Sequence, residues 1–548
     1  MSWTPLSQRL SQLPLILAGP LLRRTEPGAV TVWLALRHAC EVTLNIYPTV
    51  DGEGWLIAGR DSDEENGDRS PLLQGTRTTI AIGKHLHLVA VTASPTTTQL
   101  LQAGQIYAYD LEFRSINKPL NPAINPAINP ANQEPTWTLQ TALTADSESA
   151  ATVSISYFDH HLPTFCLPPD NLNHLQIMHG SCRKLHGEGK DALAILDGLI
   201  AKSCTQANHR PHQLFLTGDQ IYGDDVADPL LLALTEAGNT LLGWEEPLPL
   251  DAAPTSERSM IRPQDVKPGE RSPLVTLQAG LTASLYNQPK RAKSHLLSFG
   301  EYCAIYLFAW SPVLWGEFPR GETVWTTANR TPSRRAGAWN AEVKNLERAL
   351  RSLPQVRRAL ANIPTYMICD DHDISDDWFL NRNWCLRVLS RALGRRIVQN
   401  GLLGYALFQA WGNTPDQFTA GRSGATLLDA ASQWSASAGT DSRQESLIAR
   451  YLGLPALNEQ GEPKFQQDGN TLILDRHPDA LEWHYVVRST RHEVIVLDTR
   501  TWRGYPLDSF TKAPPMLLSP TAFDRQLHQV LTQTNQLKQS GESRSIAT

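Results

Sequence analysis

The sequence predicts a mixed α/β protein in which a β-rich leading region precedes an α/β region. Three observations carry that prediction. Residues 15–143 hold several β-branched runs at hairpin spacing, AVTVWLAL at 29–36 and CEVTLNIY at 40–47 being the clearest. Short strands spaced in this way suggest a sandwich. From about residue 171 short apolar runs alternate with stretches of helical periodicity, the pattern of a sheet layered with helices. Finally, three of those apolar runs are followed directly by chemistry-bearing residues, which places them beyond the carboxyl ends of strands, where open α/β sheets bind ligands.

At 548 residues the chain exceeds one ordinary core, so two domains are expected: a β-rich sandwich-like domain over 1–150 and an α/β domain over 171–548. Segments 235–300 and 412–475 are rich in Pro, Gly and Ser and read as loops or insertions near the active face. A net charge of −6 offers no basic face for a nucleic-acid partner. The seven cysteines are odd in number, lie far apart and include no CxxC pair, which points to a reducing compartment. The longest apolar run, 302–315, falls short of the ~20 residues that a membrane helix needs. The short apolar stretch at 13–18 lacks a cleavage pattern, so a soluble cytoplasmic protein is expected. Oligomeric state is not legible.

In order along the chain, further strands are expected at 77–82, 87–91 and 106–113. His85 and His87 share one strand face, but no acids lie near them in sequence, and they read as ordinary strand residues. A tandem Asn-Pro-Ala repeat at 120–131 reads as a surface loop, because repeated Pro denies the backbone a ladder. Strands are then expected at 175–179, 213–217, 363–369 and 493–498, with helices over 191–200, 341–353 and 523–537.

The strongest pointer to function follows strand 363–369. Asp370, Asp371, His372, Asp373, Asp376 and Asp377 place five carboxylates and an imidazole within eight positions. Crowded like charges raise one another's pKa unless a cation or a proton intervenes. A multivalent metal suits oxygen ligands. Gly180-Ser181-Cys182-Arg183-Lys184 follows the first strand and Gly218-Asp219-Gln220-Ile221-Tyr222 the second. Asp219 and Tyr222 are i and i+3, and a helical turn would put both on one face. A thiol and a phenol ligate well at pH 7 only where a strong Lewis acid displaces their protons. Cys182, Asp219 and Tyr222 therefore favour ferric iron, Fe(3+), while a second, all-oxygen site would suit Ca(2+), Mg(2+) or Mn(2+).

Taken together in this order, the Gly-Ser-Cys-Arg, Gly-Asp-Gln-Ile-Tyr and Asp-Asp-His-Asp motifs resemble the PhoD-like (alkaline phosphatase D) metallophosphatase family, and GPLLRR at 19–24 followed by VTVWL at 30–34 is similar to its leading β-domain. The resemblance implies a four-layer αββα metallophosphatase-like domain with a binuclear centre, hydrolysing phosphate mono- or diesters. It implies that Cys182 and Tyr222 bind iron and that Asp219 bridges to the second metal, calcium. It assigns Asp371 and His372 to a second-metal ligand and a group on the phosphate or leaving oxygen. Asp376 and Asp377 become further second-metal candidates, and Arg183 holds a phosphate oxygen. The family's Gly-Asp-x-His turn occurs nowhere after residue 223, and the chain stops soon after helix 523–537 with SRSIAT at 543–548, so a truncated member is expected.

Other readings stay open. A phosphatase-like fold without activity would act as a binding module. A metal-free cysteine hydrolase would use Cys182 as nucleophile and His372 as base. An EF-hand over 371–382 fails, because its sixth residue is Asp376 and its twelfth is Arg382. Asp224, Asp225 and Asp228 read as an acidic rim or helix caps, and Lys184 as solvated.

Overall fold

The computed structural model describes residues 3–55, 70–116, 135–145, 154–251, 259–282, 292–325 and 334–539. The Asn-Pro-Ala repeat and the expected strand entrance at 543–548 lie outside the described residues.

The β-branched N-terminal runs form a curled antiparallel sheet. Along its main path run β1 (Ile16–Glu26), β2 (Ala29–Leu36), β3 (Cys40–Val50), β4 (Leu73–Thr78), β5 (Leu86–Pro95), β6 (Ile106–Ser115) and β7 (Thr164–Cys166), with short strands Gly54–Trp55, Ile80–Gly83 and Thr136–Thr138 paired beside it. Their order across the sheet is β1-β2-β5-β4-β3-β6-β7. Period-two alternation sorts β2 between two cores. Val30, Val32, Leu34 and Leu36 pack with Val42, Leu44, Ile46, Leu111 and Phe113 inside the curled sheet. Trp33 and Ala35, on the other face, pack with Leu88 and Ala90 against the helical part of the molecule. The Trp33 indole donates to the Leu407 carbonyl at 2.9 Å, so the ring is both buried and satisfied.

The α/β region is built on three short parallel strands in the order β8 (Ile177–Gly180), β9 (Gln213–Leu216) and β10 (Thr365–Met367). Helix α1 (Ile195–Ser203) follows β8, and α2 (Asp228–Leu242) follows β9. The apolar run at 302–315 becomes α3 (Phe299–Trp310), buried at every residue. No described helix is long and apolar enough to cross a membrane. Helix α4 (Arg334–Ala361) delivers the chain to β10 and buries Trp339, Leu346, Leu353, Val356 and Leu360. A hairpin of β11 (Tyr485–Arg488) and β12 (Glu493–Val496) lies against these strands. The Tyr485 hydroxyl donates to the Met367 carbonyl at 2.9 Å, and the His492 ring meets the Gln213 amide at 2.9 Å.

Two expectations need correction here. Strand 363–369 shortens to three residues, and Asn413 clamps the last of them, Met367, accepting from its N–H at 3.0 Å and donating to its carbonyl at 2.6 Å. The loop reading of 235–300 and 412–475 also fails in part. Helix α2 runs into the first segment, and helices Ser423–Ala436 and Ser442–Tyr451 fill much of the second. Small residues hid the pattern: Leu427, Leu428, Ala430, Ala431 and Trp434 form a buried face, and tertiary packing outweighs the weak propensity of the Ser and Gly around them.

Candidate metal centre

Each of the three parallel strands ends in a loop that carries reactive side chains, and the backbone knits those loops together. The Cys182 N–H donates to the Gly218 carbonyl at 3.1 Å and the Arg183 N–H to that of Asp219 at 2.8 Å, extending the β8–β9 pairing beyond the strands. The Gly223 N–H donates to the His372 carbonyl at 2.6 Å. Gly218 has φ +132°, and a Cβ there would stand 2.5 Å from that of Asp370. Only glycine lets the two loops approach so closely. Cys182 (φ 54°) and Asp219 (φ 49°) both occupy the left-handed region, a cost of about 1–3 kcal/mol each that concentrates at functional sites. The helical turn expected at Asp219–Tyr222 does not open, since Asp219 is left-handed; the loop itself brings both side chains to the site.

Ligand atoms of Asp219, Asp371 and His372 all lie within 4.8 Å of one another. Cys182 Sγ is 3.2 Å from Asp219 Oδ2. The Tyr222 ring stacks on His372 with centroids 4.7 Å apart. Five of the eight residues named as site residues from the sequence therefore converge. Asp376 and Asp377 stand outside the mutually close group but feel the charge of Asp371, and burial with neighbouring carboxylates raises both, Asp376 to about 6. The Arg183 guanidinium engages Asp191 at 2.7 Å and the Ala309 carbonyl at 2.6 Å, not the acid cluster.

Three residues outside that set prove central. Asp373 is wholly buried and accepts backbone N–H groups from both loops. Asp224, read from sequence as an acidic rim or cap, is instead buried, with Oδ1 2.8 Å from His372 Nδ1. Arg500 spans Asp370 and Asp371. Asp225 does lie at the rim, but it binds Lys184, which is therefore not simply solvated. Arg500 follows strand 493–498, the strand-end position that the other motifs share, but that position alone does not reveal its partners.

Burial pushes the Asp219 carboxyl up to about 6 and, with the charges of Asp219, Cys182 and Asp224, the Tyr222 phenol well above its usual value. A hydrogen bond with Ser181 works to lower the Cys182 thiol, but burial and the Asp219 carboxylate outweigh it and leave the thiol raised. Burial opposes charge on His372, yet the hydrogen bond and charge of Asp224, then Asp219 and Asp371, lift it to about 9. Asp219 Oδ1 is buried without a hydrogen-bond partner. A carboxylate with an orphaned oxygen, beside a thiol and a phenol that hold their protons, suits a metal that would displace those protons. The residues fit the implied ion.

No family model and no curated protein matches the chain. Among solved structures, it is similar to one described as "Structure of PhoD", at 11% sequence identity and a TM-score of 0.32, over 91% of this chain and 54% of that one. The chain spans about half the length of that structure.

Proposed function

We propose that the chain is a metal-dependent phosphoesterase acting on phosphate mono- or diesters. One observation carries this reading: Asp219, Asp371 and His372 bring ligand atoms within 4.8 Å of one another, with Cys182 against Asp219, Tyr222 stacked on His372, and the other Asp219 oxygen buried without a partner. In this reading Cys182, Tyr222 and Asp219 hold ferric iron. A second metal, calcium or otherwise magnesium or manganese, would sit on the Asp371 side, with Asp376 and Asp377 as outer carboxylates. A bound metal supplies Lewis acidity and an acidified water. His372, fixed through Nδ1 by Asp224, presents Nε2 as proton donor to the leaving alkoxide. Arg183 reaches a phosphate oxygen by exchanging Asp191 for the substrate. The same reading takes β8–β10 and the β11–β12 hairpin as facing sheets of a four-layer αββα domain over 171–548, preceded by a sandwich domain over 1–150.

Magnitudes favour metal chemistry over an acid–base pair alone. Phosphate monoesters need up to ~10²¹-fold acceleration. A positioned acid or base contributes only ~10²–10⁴. The cysteine-hydrolase alternative loses ground because the Cys182 thiol is raised, and its sulfur faces a carboxylate rather than an imidazole base. Elemental analysis with a visible spectrum tests the proposal. Bound iron, a tyrosinate absorption band and chelator-sensitive phosphoester turnover are expected; a folded, colourless, iron-free protein without turnover would sink it and favour a binding module.

A further inference from the structure

The crowded carboxylates at 370–377 call for cations, and the chain supplies one itself. Arg500 leaves the end of β12 in a turn tied by Asp498, whose Oδ1 accepts the N–H of Arg500 at 3.1 Å and of Thr501 at 2.8 Å. Its guanidinium then crosses to the acidic loop. Nε binds Asp370, one terminal nitrogen lies 2.9 Å from Asp371 Oδ1, and the other donates to the Trp378 carbonyl at 3.1 Å. Arg500 is only 9% exposed.

We infer that Arg500 is the resident second cation of this centre, held by Asp370 and by Asp371, the carboxylate that a second metal ion would otherwise use. This rests on the metal reading of the site and deepens it. A guanidinium cannot shed its charge, and its planar fork satisfies two carboxylates at once. A divalent ion on the same oxygens would sit beside a fixed positive charge that burial leaves poorly screened. Withdrawing the side chain would strand a buried cation, since its turn and its Trp378 contact belong to the fold. Two further acids at the site have partners of their own, Asp224 in His372 and Asp373 in backbone N–H groups, while Asp376 and Asp377 stand outside the mutually close group. That leaves the Cys182–Asp219–Tyr222 face as the place for a single metal, opposite a fixed guanidinium.

Mn(2+) binding to the chelator-treated full chain, counted by the electron paramagnetic resonance of free Mn(2+), tests this. Wild type is expected to bind one ion per chain, and Arg500→Gln to gain one more, with its thermal midpoint rising on Mn(2+) addition. Arg500→Lys keeps the wild-type count, as does Arg503→Gln, whose side chain in the same loop contacts Thr499 and Phe379 carbonyls instead. Should Arg500→Gln not fold in chelator, recovery by refolding in Mn(2+) is the expected result. A second ion on wild type, a folded Arg500→Gln that gains none, or an unfolded one that Mn(2+) does not rescue overturns the inference. No ion on wild type but one on Arg500→Gln keeps Arg500 as the counter-cation and removes the metal at Cys182–Asp219–Tyr222.

Discussion

Asp373 Oδ2 accepts the backbone N–H of Asp219 at 2.8 Å and that of Asp370 at 2.9 Å, so one buried carboxylate holds both acid-bearing loops. Its Oδ1 takes the Gln220 N–H at 3.1 Å. Burial and the nearby Asp219 push this carboxyl up to about 7, against the pull of the N–H donors. Removing it strands several buried donors, each costing about 1–3 kcal/mol. Asp373→Ala should therefore lower stability by about 3 kcal/mol and abolish metal uptake, whereas Asp373→Asn, which keeps one acceptor, should lose less. Urea midpoints and metal content check this; an Asp373→Ala protein with both unchanged contradicts it.

Two glycines give opposite predictions. At Gly218 an added methyl meets the Asp370 side chain at 2.5 Å, and φ +132° strains any L residue. Gly218→Ala is expected to cost about 2 kcal/mol and to part the Cys182–Asp219 loops from the 370–377 loop, with metal content falling. Gly198 lies in helix α1 with nothing within 4 Å of an added Cβ. Gly198→Ala should stabilise by about 0.5–1 kcal/mol and leave metal content alone. Thermal melts of the two variants with elemental analysis separate strain at the site from ordinary helix propensity.

What could be foreseen from sequence follows from which forces act locally. The strands at 29–36 and 40–47 and the strand-end positions of Cys182, Asp219 and Asp371 were legible, because alternation and apolar runs report burial directly. Tyr222 was foreseen at the site for the wrong reason: a left-handed Asp219, not a helical turn, delivers it. Asp224, Asp373 and Arg500 were not legible as partners. Each acts on a group between 129 and 154 residues away in sequence, and nothing in a local pattern distinguishes a buried acid pinned by N–H donors from a solvated one. The crowding of five acids was read as a demand for metal. Arg500, His372 and the backbone answer much of that demand, while Asp219 and Asp224 each keep a buried oxygen without a hydrogen bond, Asp219 being the one beside Cys182.

The Asp224–His372 pair predicts a leaving-group effect. Asp224 keeps the ring oriented and protonated, so Asp224→Asn should lower the His372 pKa from about 9 towards its ordinary value. The alkaline limb of the pH–rate profile then moves to lower pH, and kcat falls about 10–100-fold on an alkyl phosphoester. A nitrophenyl ester, whose leaving group needs no proton, should be affected much less. Equal losses on both esters would show that Asp224 supports the fold rather than proton donation.

Far from the site, His212 predicts how the fold responds to acid. It is fully buried; its Nδ1 accepts the Gln176 N–H at 3.1 Å, so Nε2 carries the hydrogen donated to Ala207 at 3.0 Å and the ring is neutral. Burial, with Arg210 adding to it against those hydrogen bonds, lowers its pKa from 6.5 to about 4. The unfolded chain binds this proton below pH 6.5 while the folded chain refuses it until about pH 4, so the stabilisation present above 6.5 is lost as pH falls through that window. The loss amounts to about 3 kcal/mol. Asp110, raised by burial to about 6, works with the opposite sign and gains stability on acidification, so the contribution of His212 has to be taken as a difference. Urea midpoints of wild type and His212→Asn at pH 7 and pH 4.5 supply it: the variant should start less stable and lose less on acidification. Parallel pH dependences in the two proteins would mean that His212 takes up its proton without unfolding the packing around it.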